Sequence, residues 1–431
     1  MQLTKTRSVP LATLLAAEAM NVLDTTITQV AGPAIHADLG GPASAIQWFG
    51  AAYTLPFAVL LITGGRLGDL LGRRRVFLSG VAVFALASLC CALAPAAGVL
   101  IGARAVQGMA AALVIPQTFG LIKVMFSGPA LAAALGWNGP VVGLSAVSGP
   151  LLGALLTDLV SWRAAFLVNV PISIAVLVAG RLLPEDRAAH PVRLDVPGTL
   201  LASLGIGLLV YPLIDKWSWS LFAAGATVLV LFGFHQRNRR HPLVEPSLFG
   251  HRGFPAALGA STLFFAVMNG VMLVVVLHQQ LDEGLGVLAS GLTLLPWSGG
   301  LAISSWAAGK WLVPRHGSRV AFAGLTLLLA GVLLAMAGPL PVALGIGGLG
   351  LGLFTVPFFT AALSVVRPHE TGSAAGLLNA VQQVGATLGI AVFGSVFLRG
   401  HSPAAAFSLA AVLVVATMAA TALMRISPRR P

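Results

Sequence analysis

Two acids and one base stand where an apolar chain has little reason to place them. Glu18 and Asp24 lie inside the apolar run 11–35, and Arg104 lies inside the run 98–122, about two helical turns from its start. A charge at that depth costs about 3 kcal/mol or more unless it is paired or hydrated. The chemistry open to this set is proton exchange. An isolated buried carboxylate tends to hold a proton and a neighbouring arginine favours the ionised form, so a carboxylate that meets and leaves an arginine loads and releases a proton. The expectation is that Asp24 alternates between Arg104 and a proton, with substrate competing for the charged form. A static ion pair locking two helices is one structural alternative, and an arginine reaching back to the interface along its own stem is another. At about 100° per residue, Glu18, Asn21, Asp24, Thr25, Thr28 and Gln29 fall in a sector of roughly 140°, while Leu23, Ile27 and Val30 point away. That arc faces a cavity. Glu18 reads as a second proton site, a recogniser of cationic substrates or a water-facing acid.

The elements that must hold these residues are membrane helices. Of 431 residues, 57% are hydrophobic and 9% charged, and the mean hydropathy is +0.92, far from a soluble domain's roughly one quarter of charged residues. Apolar runs of roughly 18 to 25 residues recur, each long enough to cross a hydrocarbon core of about 30 Å as a helix. With Pro, Gly and charge clusters as punctuation, spans are predicted near 11–35, 44–64, 76–95, 98–122, 131–157, 163–183, 197–215, 218–235, 253–277, 287–311, 319–337, 341–364, 373–397 and 404–424. The first run lacks a small-residue cleavage site after a short core, so it is expected to stay as a span. Cys90 and Cys91 are adjacent within an apolar run and read as packing residues.

Threading the spans from a cytoplasmic N-terminus puts all but four of the 25 basic residues on the cytoplasmic side, the exceptions being Arg104, Arg163, Lys216 and Arg399. The net charge of +12 is therefore topogenic, because the bases sit in short clusters between apolar runs, and nucleic acid is not an expected partner. The most polar connections, 184–196 with Glu185, Asp186, Arg187 and Arg193, and 236–252 with Arg237, Arg239, Arg240 and His241, bracket a helix pair. The chain thus reads as a six-helix bundle over 1–195, an inserted pair over 196–236 and a second six-helix bundle over 237–431. A weak repeat supports the division: Gly64, Leu67, Gly72 and Arg74 align with Gly309, Leu312, Gly317 and Arg319, and Pro116 with Pro357. Asp69 meets Pro314 and Arg104 meets Gly345, so the halves share architecture and divide the chemistry.

Six motifs point the same way. The connection Gly65-Arg66-Leu67-Gly68-Asp69-Leu70-Leu71-Gly72-Arg73-Arg74-Arg75 sets one acid among bases, with glycines suited to a tight turn. It resembles the signature loop of the major facilitator superfamily, which implies that Asp69, Arg73 and Arg74 bridge helix ends and re-form as the protein changes state; Leu70 replaces an expected base. Arg104-Ala-Val-Gln107-Gly108 in the fourth span resembles the helix-four motif of proton-coupled facilitators, which implies a part for the arginine in proton transfer. Gly136, Ser145, Gly149, Pro150 and Gly153 resemble the superfamily's antiporter motif, with Ser145 and Ala154 where glycines are usual. Leu23-Asp24-Thr25-Thr26 through Pro33, with Gln29 where asparagine and Gly32 where leucine are common, Trp162-Arg163 through Asn169 and Pro171, and Gly376 through Asn379, Gln382, Gln383 and Gly385 resemble segments of the fourteen-helix drug:proton antiporter family.

The resemblance implies a major facilitator fold of fourteen helices in the inner membrane, with both termini cytoplasmic. It also implies export of small hydrophobic or cationic compounds against protons by alternating access, as in multidrug efflux and antibiotic resistance. Only the helix-five pattern favours exchange, so a proton-coupled importer is the rival reading; a non-transporting membrane sensor has no need of a buried acid and base. No glycine-lysine nucleotide loop, metal cluster or nucleophile triad is present in the sequence, so neither an enzyme nor a cofactor is expected. Protons are the expected coupling ion, and a monomer in contact with membrane lipids the expected form. Candidate cavity residues are Asn21, Trp48, Tyr53, Asn138, Asn269, Trp297, Gln382 and Gln383.

Overall fold

The computed structural model describes residues 5–187, 194–239, 242–250, 253–364, 366, 367 and 370–426. Arg193, Arg240, His241, Arg252, Arg429 and Arg430 lie outside the described residues. Among the described residues fourteen helical rods follow one another: α1 (Lys5–Leu39), α2 (Ala45–Leu71), α3 (Arg73–Ala92), α4 (Ala97–Met125), α5 (Gly128–Leu159), α6 (Trp162–Leu182), α7 (Val196–Ile214), α8 (Trp219–Arg237), α9 (Gly253–Asp282), α10 (Val287–His316), α11 (Arg319–Leu334), α12 (Leu340–Ser364), α13 (Thr371–Gly400) and α14 (Pro403–Met424). Among the described residues no strand occurs. Twelve of the rods are long and apolar enough to cross a membrane. The other two are α1, diluted by its polar arc, and α11, an apolar helix of 16 residues.

Several helix ends lie beyond the sequence expectation, α9 running to Asp282 and α10 to His316, and the largest difference is at the end of α2. The segment Gly65–Asp69, expected as a loop, is helical, and α2 runs on to Leu71. Its glycines serve helix contact: a methyl on Gly64 would overlap the Ala112 carbonyl of α4, and one on Gly68 would overlap the Gln117 side chain. The turn falls on Gly72 alone, with φ of 101°. Its counterpart Gly317, between α10 and α11, also has positive φ, at 58°.

Glycines let the rods approach at backbone distance throughout. Gly108 abuts the Tyr53 carbonyl, tying α4 to α2, and Gly149 and Gly153 abut Thr26 and Ile27, tying α5 to α1. In α9–α14, Gly348 abuts Trp297 and Gly389 abuts Ala266. The two sets of rods meet where α2 crosses α13, with Gly50 against Ile390 and Thr387 Oγ1 donating to Thr54 Oγ1 at 2.7 Å. They meet again where Gln29 of α1 donates to Asn269 of α9 at 2.9 Å and where Gly291 of α10 rests on Ala154 of α5.

Candidate functional site

α1, α4 and α6 bring their polar side chains to one point in the first bundle. Asp24 and Arg104 form an ion pair, each side chain only 1% exposed, through Arg104 Nη1 and Asp24 Oδ2. The other carboxylate oxygen, Oδ1, accepts from Gln107 Nε2 at 2.9 Å and from Asn169 Nδ2 at 2.7 Å. The guanidinium is held through two of its nitrogens: Nε donates to the Phe49 carbonyl at 3.0 Å, and Nη1, besides Asp24, to Gln107 Oε1 at 2.7 Å. Its carbon lies 4.3 Å from the Tyr53 ring centroid and 5.8 Å from that of Phe166. Burial of two charges is tolerated better when further donors and acceptors join the pair, as Gln107, Asn169 and the Phe49 carbonyl do here.

The helices explain the convergence. Arg104 and Gln107 are three residues apart and share a face of α4, so one helix presents a charged and a neutral donor to the same carboxylate. Ser88 of α3 accepts from Gln107 Nε2 at 2.8 Å, and the buried Cys91 thiol lies 3.7 Å from Gln107 Oε1, which fixes the amide from behind. Asn21, one turn before Asp24, donates to the Tyr53 hydroxyl, and that ring in turn lies under the guanidinium. Glu18 stands apart from the pair: its Oε2 is buried and has no hydrogen-bond partner.

The remaining sequence candidates fall in several places. Asp69 accepts from Arg73 at 2.7 Å, Arg73 also pairs with Asp186 at 3.2 Å, and Arg74 lies 3.7 Å from Glu185. This cluster clasps the α2–α3 turn to the segment leading away from α6, and Gly65 sits against Pro116 of α4. Ser145 is buried and bonds to the Val141 carbonyl at 2.8 Å, while Gly149, Pro150 and Gly153 line contacts of α5 with α1 and α10. Gly136 is exposed and touches no other helix. Asn138 carries a buried Oδ1 without a partner. Gln382 donates to Asn379 at 3.0 Å, and the backbone carbonyl of Gln383 accepts from Thr387. Two aromatic residues sit elsewhere than in the expected cavity: Trp297 is buried against the glycines of α12, and the Trp48 indole donates to Asp215 at 3.0 Å beside the Tyr211 ring.

Asn169, Ser88 and the Phe49 carbonyl were not among the candidate site residues. Asn169 carried a readable signal, a lone amide within the apolar run that follows Trp162. The carbonyl carried none, since its role depends only on where α2 crosses α4.

Comparison with known proteins places this geometry. The family described as Major Facilitator Superfamily matches residues 14–390. The chain is 41% identical over 414 residues to the probable actinorhodin transporter of Streptomyces coelicolor, covering 90% of this chain and 72% of that protein. It is 36% identical over 413 residues to the tetracenomycin C resistance and export protein of Streptomyces glaucescens, covering 90% of this chain and 76% of the relative. In fold it is similar to a POT family transporter crystallised with a thioalcohol-conjugated peptide, with a TM-score of 0.73 over 96% of both chains at 13% identity.

Proposed function

The chain belongs to the major facilitator superfamily, and on that premise we propose that it is a proton-coupled antiporter that exports small hydrophobic or cationic compounds by alternating access. In this reading all fourteen rods span the cytoplasmic membrane, both termini are cytoplasmic, and the rods divide into bundles over 1–195 and 237–431 with the pair 196–236 between them. The observation that carries the proposal is the fully buried Asp24–Arg104 pair with its neutral donors Gln107 and Asn169. A purely structural ion pair offers little stability over an apolar packing of the same volume, so its presence at a helix crossing inside a transporter fold points to use.

The steps follow from the contacts. Protonation of Asp24 neutralises the carboxylate and releases the ionic hold on Arg104, which keeps the Phe49 carbonyl, Gln107 Oε1 and the Tyr53 ring as partners. The α1–α4 contact is thereby weakened while the guanidinium stays solvated by protein. Reorientation exposes the site to the other side, where the proton leaves and the pair re-forms. Glu18, a turn and a half nearer the start of α1, is the second acid on this path. Export is supported by the relatives, of which one is a resistance and export protein, and the antibiotics in their names mark the substrate class to try first.

The test is transport in proteoliposomes under an imposed pH gradient, with actinorhodin and ethidium as probes. Wild-type protein accumulates a probe in step with proton movement, and Asp24→Asn uncouples the two. Coupled transport that survives Asp24→Asn overturns the proposal.

A further inference from the structure

Helix α7 of the inserted pair bonds to α2 near both of its ends, whereas its described polar contacts with α13 lie at one end. Along α2, Thr199 shares a hydrogen bond of 2.8 Å with Thr63 at one end of α7. At the other end, Asp215 accepts from Ser44 at 2.7 Å and from Trp48 at 3.0 Å. The base of the pair is closed by Asp195, which accepts from Gln236 and His235, both at 2.8 Å, while Arg66 of α2 bonds to the Pro242 carbonyl just beyond α8. Toward the second bundle the polar contacts described for α7 reach only its tip. Ser395 and Arg399 of α13 donate to the Leu213 carbonyl, and Arg399 also lies 3.4 Å from the Asp215 carbonyl. Val210 and Ile214, near the same tip, are buried in a cluster that joins Ile46 and Ala51 of α2 to the apolar residues of α9–α14, with Ile206 and Leu213 packed against it.

We propose that α7–α8 moves as part of the first bundle and that Ser395 and Arg399, gripping the last carbonyls of α7, form a catch that holds α2 and α13 together on the face bearing residues 40–44, 215–218 and 401. The grip uses orphan groups at a helix C-terminus, which a serine hydroxyl and an arginine satisfy without any side chain on α7. When the two bundles part on that face, these bonds break together with that of Ser395 to Gln47 of α2, whereas Asp215 stays with Ser44 and Trp48. The catch lies beside Ile390, buried in the α2–α13 contact against Gly50. The inference rests on the two-bundle rocking reading of the transporter, but its readout needs no substrate.

The experiment is labelling of Ile390→Cys by a membrane-impermeant maleimide, with Cys90→Ser and Cys91→Ser as background, in membrane vesicles of both orientations. Ser395→Ala combined with Arg399→Gln raises labelling several-fold from the face that carries the catch. Joining α7 to α13 through Leu213→Cys and Ser395→Cys with a short bifunctional thiol reagent, applied before Ile390→Cys is probed by a spin label of matched design, suppresses opening; joining α7 to α2 through Thr63→Cys and Thr199→Cys leaves it unchanged. Unchanged labelling after loss of both catch residues overturns the proposal, as does suppression by the α7–α2 link. Labelling that never changes between states in the unlinked protein counts instead against the rocking reading, and a folded, monodisperse peak on size exclusion guards each variant.

Discussion

Helices α4 and α12 hold corresponding places in the two halves, marked by Pro116 and Pro357, yet they do different work. α4 turns Arg104, Gln107 and Gln117 inward, and two of these meet the Asp24 carboxylate. α12 carries no charged residue and presents Gly347, Gly348, Gly350 and Gly352 to the backbones of α10 and α11, with Trp297, Phe354 and Phe358 filling the space between. Both helices pack on a neighbouring backbone through glycine, but only α4 also buries half of a titratable pair. The lesson is a division of labour: a switchable polar lock needs a rigid partner to move against, and close glycine contacts supply rigidity without any group that responds to protons.

The sharpest way to break this comparison is to remove the charge on one side and its counterpart on the other. Arg104→Leu leaves a buried carboxylate unpaired and is expected to cost about 3–5 kcal/mol in reversible unfolding. Gly345→Ala, whose new methyl meets only Pro296 at 3.5 Å, changes stability by about 1 kcal/mol or less. Equal losses would dissolve the distinction. Asn169→Ala removes a donor to a charged group and is expected to cost about 1.5–3 kcal/mol. In an Asp24→Asn background that cost shrinks, because the two residues share one contact; strict additivity in the double-mutant cycle would show the contact to be idle. In the glycine-packed half, Gly348→Val collides with the Trp297 backbone and is expected to cost about 1–3 kcal/mol with no change in the proton dependence of transport.

The smallest effect belongs to the base of the inserted pair. Asp195 lies outside the spans, and although its burial pushes the carboxyl upward, the hydrogen bonds from His235, Gln236 and the Gly198 amide outweigh it and hold the value below the ordinary 3.8. A depressed carboxyl stabilises the folded form above the unfolded-state value and loses that contribution as the pH falls through the folded value. Wild type therefore loses some stability below about pH 4 that Asp195→Asn no longer has to lose, as melting curves at pH 7 and pH 3.5 would reveal; parallel shifts in both proteins would remove Asp195 from the account.

Much of this was legible in the residues. Helix positions follow from run length and punctuation because a membrane helix must satisfy its backbone internally and so announces itself as a long apolar segment. The polar positions of α1 were legible from helical periodicity, and so was the depth of Asp24 and Arg104, since charge inside such a run is costly and calls for a partner. Gly65–Asp69 misled for a physical reason: glycine serves both turns and close helix contact, and only the position of α4 decides between them. Trp48 and Trp297 misled because an indole in a span fits a cavity, a helix interface or a membrane surface equally well by sequence.

The sequence by itself determined which segments are helices, which faces are polar and which charges lie too deep to be idle, because those properties depend on local composition and a fixed period. The tertiary structure alone decided what those charges touch. That Asn169 completes the carboxylate, that Phe49 lends a carbonyl to Arg104, that Glu18 stands unpaired and that Asp215 ties α7 to α2 all depend on helix crossings between residues up to 171 positions apart. Such crossings are set by the packing of whole helix faces, which no single span encodes.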